Sequence, residues 1–140
     1  MPTEEEAIRY ASECWDKGLN CAESALRGVC YGMGIELPDV ALRISTPFGG
    51  GVGRCEDLCG ALSGAVMGIG AALGRDKATG DKFASYDASK RLHEQFVLEF
   101  GSSLCKQLNH GDFKSSEHKA RCKRFTLDSV RMAYRILKTP

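Results

Sequence analysis

Asp57-Leu58-Cys59-Gly60-Ala61-Leu62-Ser63-Gly64-Ala65-Val66-Met67-Gly68-Ile69-Gly70-Ala71-Ala72-Leu73 is the stretch that decides the fold. From Leu58 to Leu73 there is no charged residue, and Ser63 is the one hydroxyl. The run falls short of the roughly 20 apolar residues of a membrane-spanning helix. Half of it is glycine or alanine, and charges flank both ends. It predicts a buried central helix over residues 57–73, with Cys59, Leu62, Val66, Ile69 and Leu73 as its core stripe. Gly60, Gly64 and Gly68 share one face of that helix. Each costs about 1 kcal/mol relative to alanine in a helix interior, too much to discard in a domain of marginal stability. Close approach by a neighbouring helix is the expected compensation, ahead of a cofactor cleft.

Helical patterns continue on both sides. Thr3-Glu4-Glu5-Glu6 reads as a capping box, followed by Ala7, Tyr10, Ala11 and Cys14 at helical spacing. Lys17-Gly18-Leu19 ends that helix and Asn20 starts the next, with Ala22, Leu26, Val29 and Met33 as its stripe. A short helix is expected from Leu37-Pro38-Asp39 to about Ser45, with proline in its first turn. Pro47-Phe48-Gly49-Gly50-Gly51-Val52-Gly53 then interrupts regular structure. Beyond the central helix, a helix over 81–100 places Ala84, Ala88, Leu92, Phe96 and Phe100 on one side. A short helix near Cys105 and a final one over 116–137 complete the chain. The expected architecture is all-α: one domain over residues 1–140, a bundle of about five to seven helices with a glycine-rich central helix and loop.

Nineteen basic and eighteen acidic residues nearly cancel, so no global charge argues for nucleic acid or membrane as a partner. The charges are segregated. Residues 1–16 carry Glu4, Glu5, Glu6, Glu13 and Asp16 against Arg9, whereas residues 114–138 are strongly basic. Two solvated helix faces that attract each other are expected. The acidic, amphipathic start lacks the features of a secretory signal, which makes a cytoplasmic location the default expectation. The seven cysteines then do not read as a disulfide scaffold, and their odd number leaves at least one thiol unpaired within a monomer.

Three cysteines follow helix-start signals: Cys21 after Asn20, Cys59 after Glu56-Asp57, and Cys105 after Ser102-Ser103. Unpaired N–H groups and the positive dipole end at such positions favour thiolate, the form that attacks disulfides and binds metals. Burial as a small apolar residue is the competing reading, and it suits Cys14 and Cys30 on their apolar faces best. Cys55 lies four residues before Cys59 and could serve as an accessory or resolving thiol.

The blocks around these cysteines resemble one family. Cys59-Gly60-Ala61-Leu62-Ser63-Gly64 matches the CGAxxG signature of the redox-active protein family C_GCAxxG_C_C. Gly18-Leu19-Asn20-Cys21-Ala22-Glu23 is similar to its G-Y-N-C-A-Q block, with Leu19 and Glu23 as departures. Phe48–Gly53 resembles the glycine segment before the motif, and Ser103–Leu108 with Cys122 fits the two later cysteines. The resemblance runs from about Ala7 to Leu137. It implies a small α-helical protein with four characteristic cysteines, here Cys21, Cys59, Cys105 and Cys122.

Two chemistries use four thiols. In one, thiol–disulfide exchange or electron transfer is centred on Cys59, the expected attacking thiol, with a redox partner protein or small thiol as its partner. Sequence allows three pairings of the four cysteines. In the other, the same four bind an iron–sulfur cluster or zinc. No C-x-x-C occurs, so such a site must be assembled by the fold. A third reading is a structural or interaction bundle with buried cysteines. Cys105, His110, His118 and Cys122 form a separate zinc set by residue type, but the spacing matches no zinc finger and solvent-exposed histidines are expected; His93 should face water. The glycine loop lacks a P-loop ending and reads as backbone crossing close to another helix or to the cysteine site. The glycine seam would also suit a homodimer.

Overall fold

The computed structural model describes residues 1–109 and 112–139. Among them the chain forms α1 (Glu4–Asp16), α2 (Cys21–Gly32), α3 (Asp39–Ile44), a 3-10 turn (Thr46–Phe48), α4 (Gly60–Leu73), α5 (Phe83–Phe100), α6 (Cys105–Asn109) and α7 (Ser116–Lys138). The architecture is all-α.

Local chemistry sets the helix starts. Thr3 Oγ1 accepts the Glu6 N–H at 3.1 Å while Glu6 accepts the Thr3 N–H at 3.1 Å, the box expected from sequence. At α2 the Asn20 side chain accepts the Glu23 N–H at 2.9 Å and Glu23 accepts the Asn20 N–H at 2.8 Å. The second Glu23 oxygen takes the Thr46 hydroxyl at 2.9 Å, and the Asn20 amide donates to the Thr46 carbonyl at 3.0 Å. One cap thus starts α2 and ties it to the 3-10 turn.

α4 is the hub, packing on α2, α7 and α5. Its glycine face lies against α2. A Cβ on Gly64 would strike the Ala22 carbonyl oxygen, one on Gly68 would meet Val29 at 2.6 Å, and one on Gly60 would strike the Cys21 sulfur. Close packing therefore offsets the glycine cost, and the seam that could have met a second copy is filled by α2 of the same chain. Leu62, Ile69, Val29, Leu92, Phe96 and Val130 form the centre of the core, each contributing about 1.5–3 kcal/mol by leaving water.

Two helix starts differ from the sequence expectation. α4 begins at Gly60 rather than near Asp57, because residues 57–59 are extended. Leu58 makes an isolated antiparallel bridge with Leu104; the Cys59 N–H donates to Ser103 O at 2.8 Å and the Cys105 N–H to Asp57 O at 2.7 Å. α5 begins at Phe83, whose N–H is accepted by Asp81 at 2.8 Å. Ala84 is exposed, so the buried stripe starts at Ala88.

The acidic first helix meets the basic last one, as the charge pattern implied. Lys123 reaches Asp16 at 2.9 Å and Arg135 reaches Glu4 at 2.9 Å; such exposed pairs contribute at most about 1 kcal/mol each. Among the described residues no helix is long and apolar enough to cross a membrane.

Candidate functional site

The four cysteines come from four different places and meet at one end of the bundle. Cys21 opens α2, Cys59 caps α4, Cys105 opens α6, and Cys122 lies in the second turn of α7. All four line one cavity of about 590 Å³. The bridge between residues 57–59 and 103–105 places Cys59 opposite Ser103 and Cys105 opposite Asp57, which ties both cysteines to one short antiparallel contact. The Cys21 sulfur is held over Gly60, the residue after Cys59. The sulfurs are free thiols.

A loop roofs the site. Gly50, Gly51, Val52, Gly53 and Arg54 have φ between 57° and 75°, and Glu56 has φ 60°. These residues make a left-handed turn, closed by Gly53 N–H to Pro47 O at 2.8 Å and Glu56 N–H to Gly50 O at 3.0 Å. Left-handed backbone costs a residue with a Cβ about 1–2 kcal/mol, and Val52, Arg54 and Glu56 bear that cost. At Gly51 a Cβ would meet Asp57 N at 2.5 Å and the Cys105 Cβ at 2.9 Å. The glycine segment lies against the cysteine site, as expected.

Electrostatics overturn one expectation. Helix-start placement predicted thiols that ionise readily, but burial dominates. It pushes Cys59 up to about 12, and the nearby Cys21 charge adds to the rise. Cys122 is pushed to about 12 and Cys105 to about 11 for the same two reasons. Cys21 is also raised by burial. Cys59 is only 6% exposed, so it is not the reachable attacker its position suggested; Cys122 is the most accessible of the four. Cys21 is a charge neighbour of each of the other three, and Cys122 of Cys59.

The helix starts still matter. N–H groups of Gly50 and Ala22 lie beside the Cys21 sulfur and favour its charged form. Those of Ala61 and Leu62 do so for Cys59, although Cys59 closes no side-chain capping bond. The site thus offers negative charge a set of aligned donors at sulfurs that are largely buried.

Sequence reasoning missed Asn109. It is 1% exposed, and its amide nitrogen lies 2.7 Å from Cys122 Sγ and 3.2 Å from the His118 carbonyl. Its side-chain oxygen accepts Arg121 Nε at 2.6 Å. His118 corrects a second expectation: it is buried in the first turn of α7, not exposed. Burial holds its pKa down, its Nδ1 meets the Asn109 carbonyl at 3.3 Å, and its ring stacks edge-on with Phe113. The segment before the final helix carries no signal for Asn109, and His118, inside the helix predicted from residue 116, is expected from sequence to face solvent.

The other candidates lie apart. Cys55 is exposed and does not line the cavity. Cys14 and Cys30 are buried between α1 and α2, as their apolar positions implied. His93 faces water. His110 of the alternative zinc set lies outside the described residues. Among the described residues, no three His, Cys, Asp or Glu side chains converge tightly enough for a single metal ion.

The fold and site define an all-α protein with a buried four-cysteine cavity. The chain belongs to the C_GCAxxG_C_C family: the model of that family, described as "Putative redox-active protein (C_GCAxxG_C_C)", matches residues 19–136. The match starts at Leu19, after α1, rather than near Ala7. No match was found among curated proteins or among solved structures.

Proposed function

We propose that this protein transfers electrons through a redox centre at Cys21, Cys59, Cys105 and Cys122, and that the four sulfurs hold an iron–sulfur cluster. One observation carries the reading. Four cysteines from separate elements, three of them buried, line one cavity in which backbone donors favour charged sulfur at two of them while burial opposes it. A thiol at about 12 is ionised in only about one molecule in 10⁵ at pH 7, which makes Cys59 a poor nucleophile. A bound cationic group removes the obstacle, because coordinated thiols are deprotonated outright. Zinc would hold its sulfurs about 2.3 Å from one point, and among the described residues no three candidate side chains converge on a single ion. When bound, a cluster supplies a low-potential electron couple tuned by hydrogen bonds to its sulfurs. The chain's own part is to present the sulfurs and aim N–H groups at two of them.

A second reading rests on Cys122, which is pushed as high as Cys59, to about 12, and so is as rarely ionised, but is more accessible to a substrate. Its thiolate would attack a disulfide substrate and release one thiol. Cys21 would then resolve the mixed disulfide and release the second thiol, leaving a Cys21–Cys122 disulfide.

Purification without oxygen, with iron, sulfide and thiols counted per chain, tests both. Stoichiometric iron and sulfide with visible absorbance that bleaches on reduction supports the first. Two thiols that vanish and return reversibly, without iron, support the second. Seven thiols that react only after denaturation, again without iron, would sink both.

A further inference from the structure

We propose that Asn109 is a positioning residue that tunes the redox centre through Cys122, and that Arg121 fixes the direction in which its amide acts. The inference rests on the four-cysteine cavity being a redox centre, whichever of the two chemistries operates there.

The orientation of the amide follows from its neighbours. Arg121 Nε can only donate, so the oxygen 2.6 Å away must be Oδ1. The NH₂ group then faces the other side, where it has two neighbours. The His118 carbonyl at 3.2 Å can only accept and takes one N–H. The remaining N–H lies on Cys122 Sγ at 2.7 Å, which makes that sulfur an acceptor. The Asn109 main chain is held too, because its carbonyl oxygen accepts Nδ1–H of a neutral His118. A buried amide with every polar atom engaged has one orientation available.

The consequence is electronic. An N–H donated to sulfur stabilises the electron-rich state, whether that state is a reduced cluster or a thiolate. Without Asn109 the centre becomes harder to reduce. Without Arg121 the amide is free to turn its oxygen toward the sulfur, which weakens the same effect. Arg121 acts through Asn109 and also directly, since its positive charge favours the charged form of Cys122, so the two changes should add only in part.

The experiment is a redox titration of the protein as isolated without oxygen, followed by visible absorbance and thiol content. Asn109→Leu is expected to shift the oxidised-to-reduced equilibrium about tenfold toward the oxidised form. That is about 59 mV lower for a one-electron couple or about 30 mV for two electrons. Arg121→Met, which also removes a charge near Cys122, should shift it in the same direction, and the double variant by less than the sum of the two. A folded Asn109→Leu whose equilibrium lies within twofold of wild type would overturn the role of Asn109. Should Asn109→Leu fail to fold, Asn109→Ala, which keeps Arg121 and its charge, decides: a lowered midpoint supports the proposal and an unmoved one overturns it. A wild-type protein with no redox transition would instead sink the reading of the cavity itself, and the proposal with it.

Discussion

Two groups of buried cysteines lie on α2 and its neighbours, and they teach what makes a site. At the cavity end, Cys21 and Cys59 are raised by burial yet have backbone N–H groups beside them and other sulfurs as charge neighbours. On the opposite flank, Cys30 is pushed to about 11 by burial alone. Cys14 is also raised by burial, with the Tyr10 hydroxyl as its hydrogen-bond neighbour. Low exposure and a raised pKa are therefore common to both groups and identify nothing. Convergent sulfurs and aligned donors distinguish the first group, and both come from helix starts and from a left-handed loop that costs energy to hold.

The seam that creates this difference is the place to break it. Gly64→Val places side-chain atoms where the Ala22 backbone stands and should cost about 3 kcal/mol or more, read as a fall in urea midpoint with the iron or redox signal lost. Gly70 on the same helix has open space where a Cβ would stand, with nothing within 4 Å. Gly70→Ala should stabilise the fold by about 0.5–1 kcal/mol, so the pair separates seam contact from helix propensity.

Alkaline pH sharpens the comparison next. Folding raises the cavity thiols above their ordinary value of 9.0, Cys59 to about 12. The folded state therefore keeps its protons longer than the unfolded one. Stability of the reduced protein stripped of any bound group is fully present below about pH 9 and is lost as pH rises toward 12. Urea midpoints from pH 7 to 11 should fall only in the upper part of that range. Cys59→Ala should show a shallower fall than Cys30→Ala, because Cys59 carries the larger shift.

The smallest effect belongs to the roof of the cavity. Val52 sits exposed at φ 66° with a branched side chain. Val52→Gly removes about 1–2 kcal/mol of backbone strain and adds roughly 0.5–1 kcal/mol of unfolded-chain entropy. A net gain of up to about 1.5 kcal/mol is expected by calorimetry, with the redox midpoint unchanged. A midpoint that moved would mean that the strain itself tunes the centre.

Much of this was legible in sequence. The Thr3 and Asn20 caps, the glycine face of α4 and the order of the cysteine blocks all follow from local rules of spacing and side-chain chemistry. The rest depends on partners distant in the chain. Nothing near Leu58 announces the bridge to Leu104, which delays α4 and ties the Cys59 and Cys105 segments together. The burial of Asn109 and His118 against each other depends on how α6 packs on α7. The left-handed run continues through Val52, Arg54 and Glu56, residues that sequence rules exclude from such backbone. Helix-start thiols were expected to be acidic because dipole and caps are local, whereas burial, the larger effect, is a property of the whole fold.

The most direct measurement compares the two cysteine groups in one experiment. Wild type, Cys21→Ser and Cys30→Ser are purified without oxygen and assayed for iron per chain and visible absorbance. The account predicts full iron and absorbance in wild type and Cys30→Ser, and loss of both in Cys21→Ser while its helical content is kept. Equal iron in all three, or none in wild type, would contradict a cluster held at the four-cysteine cavity.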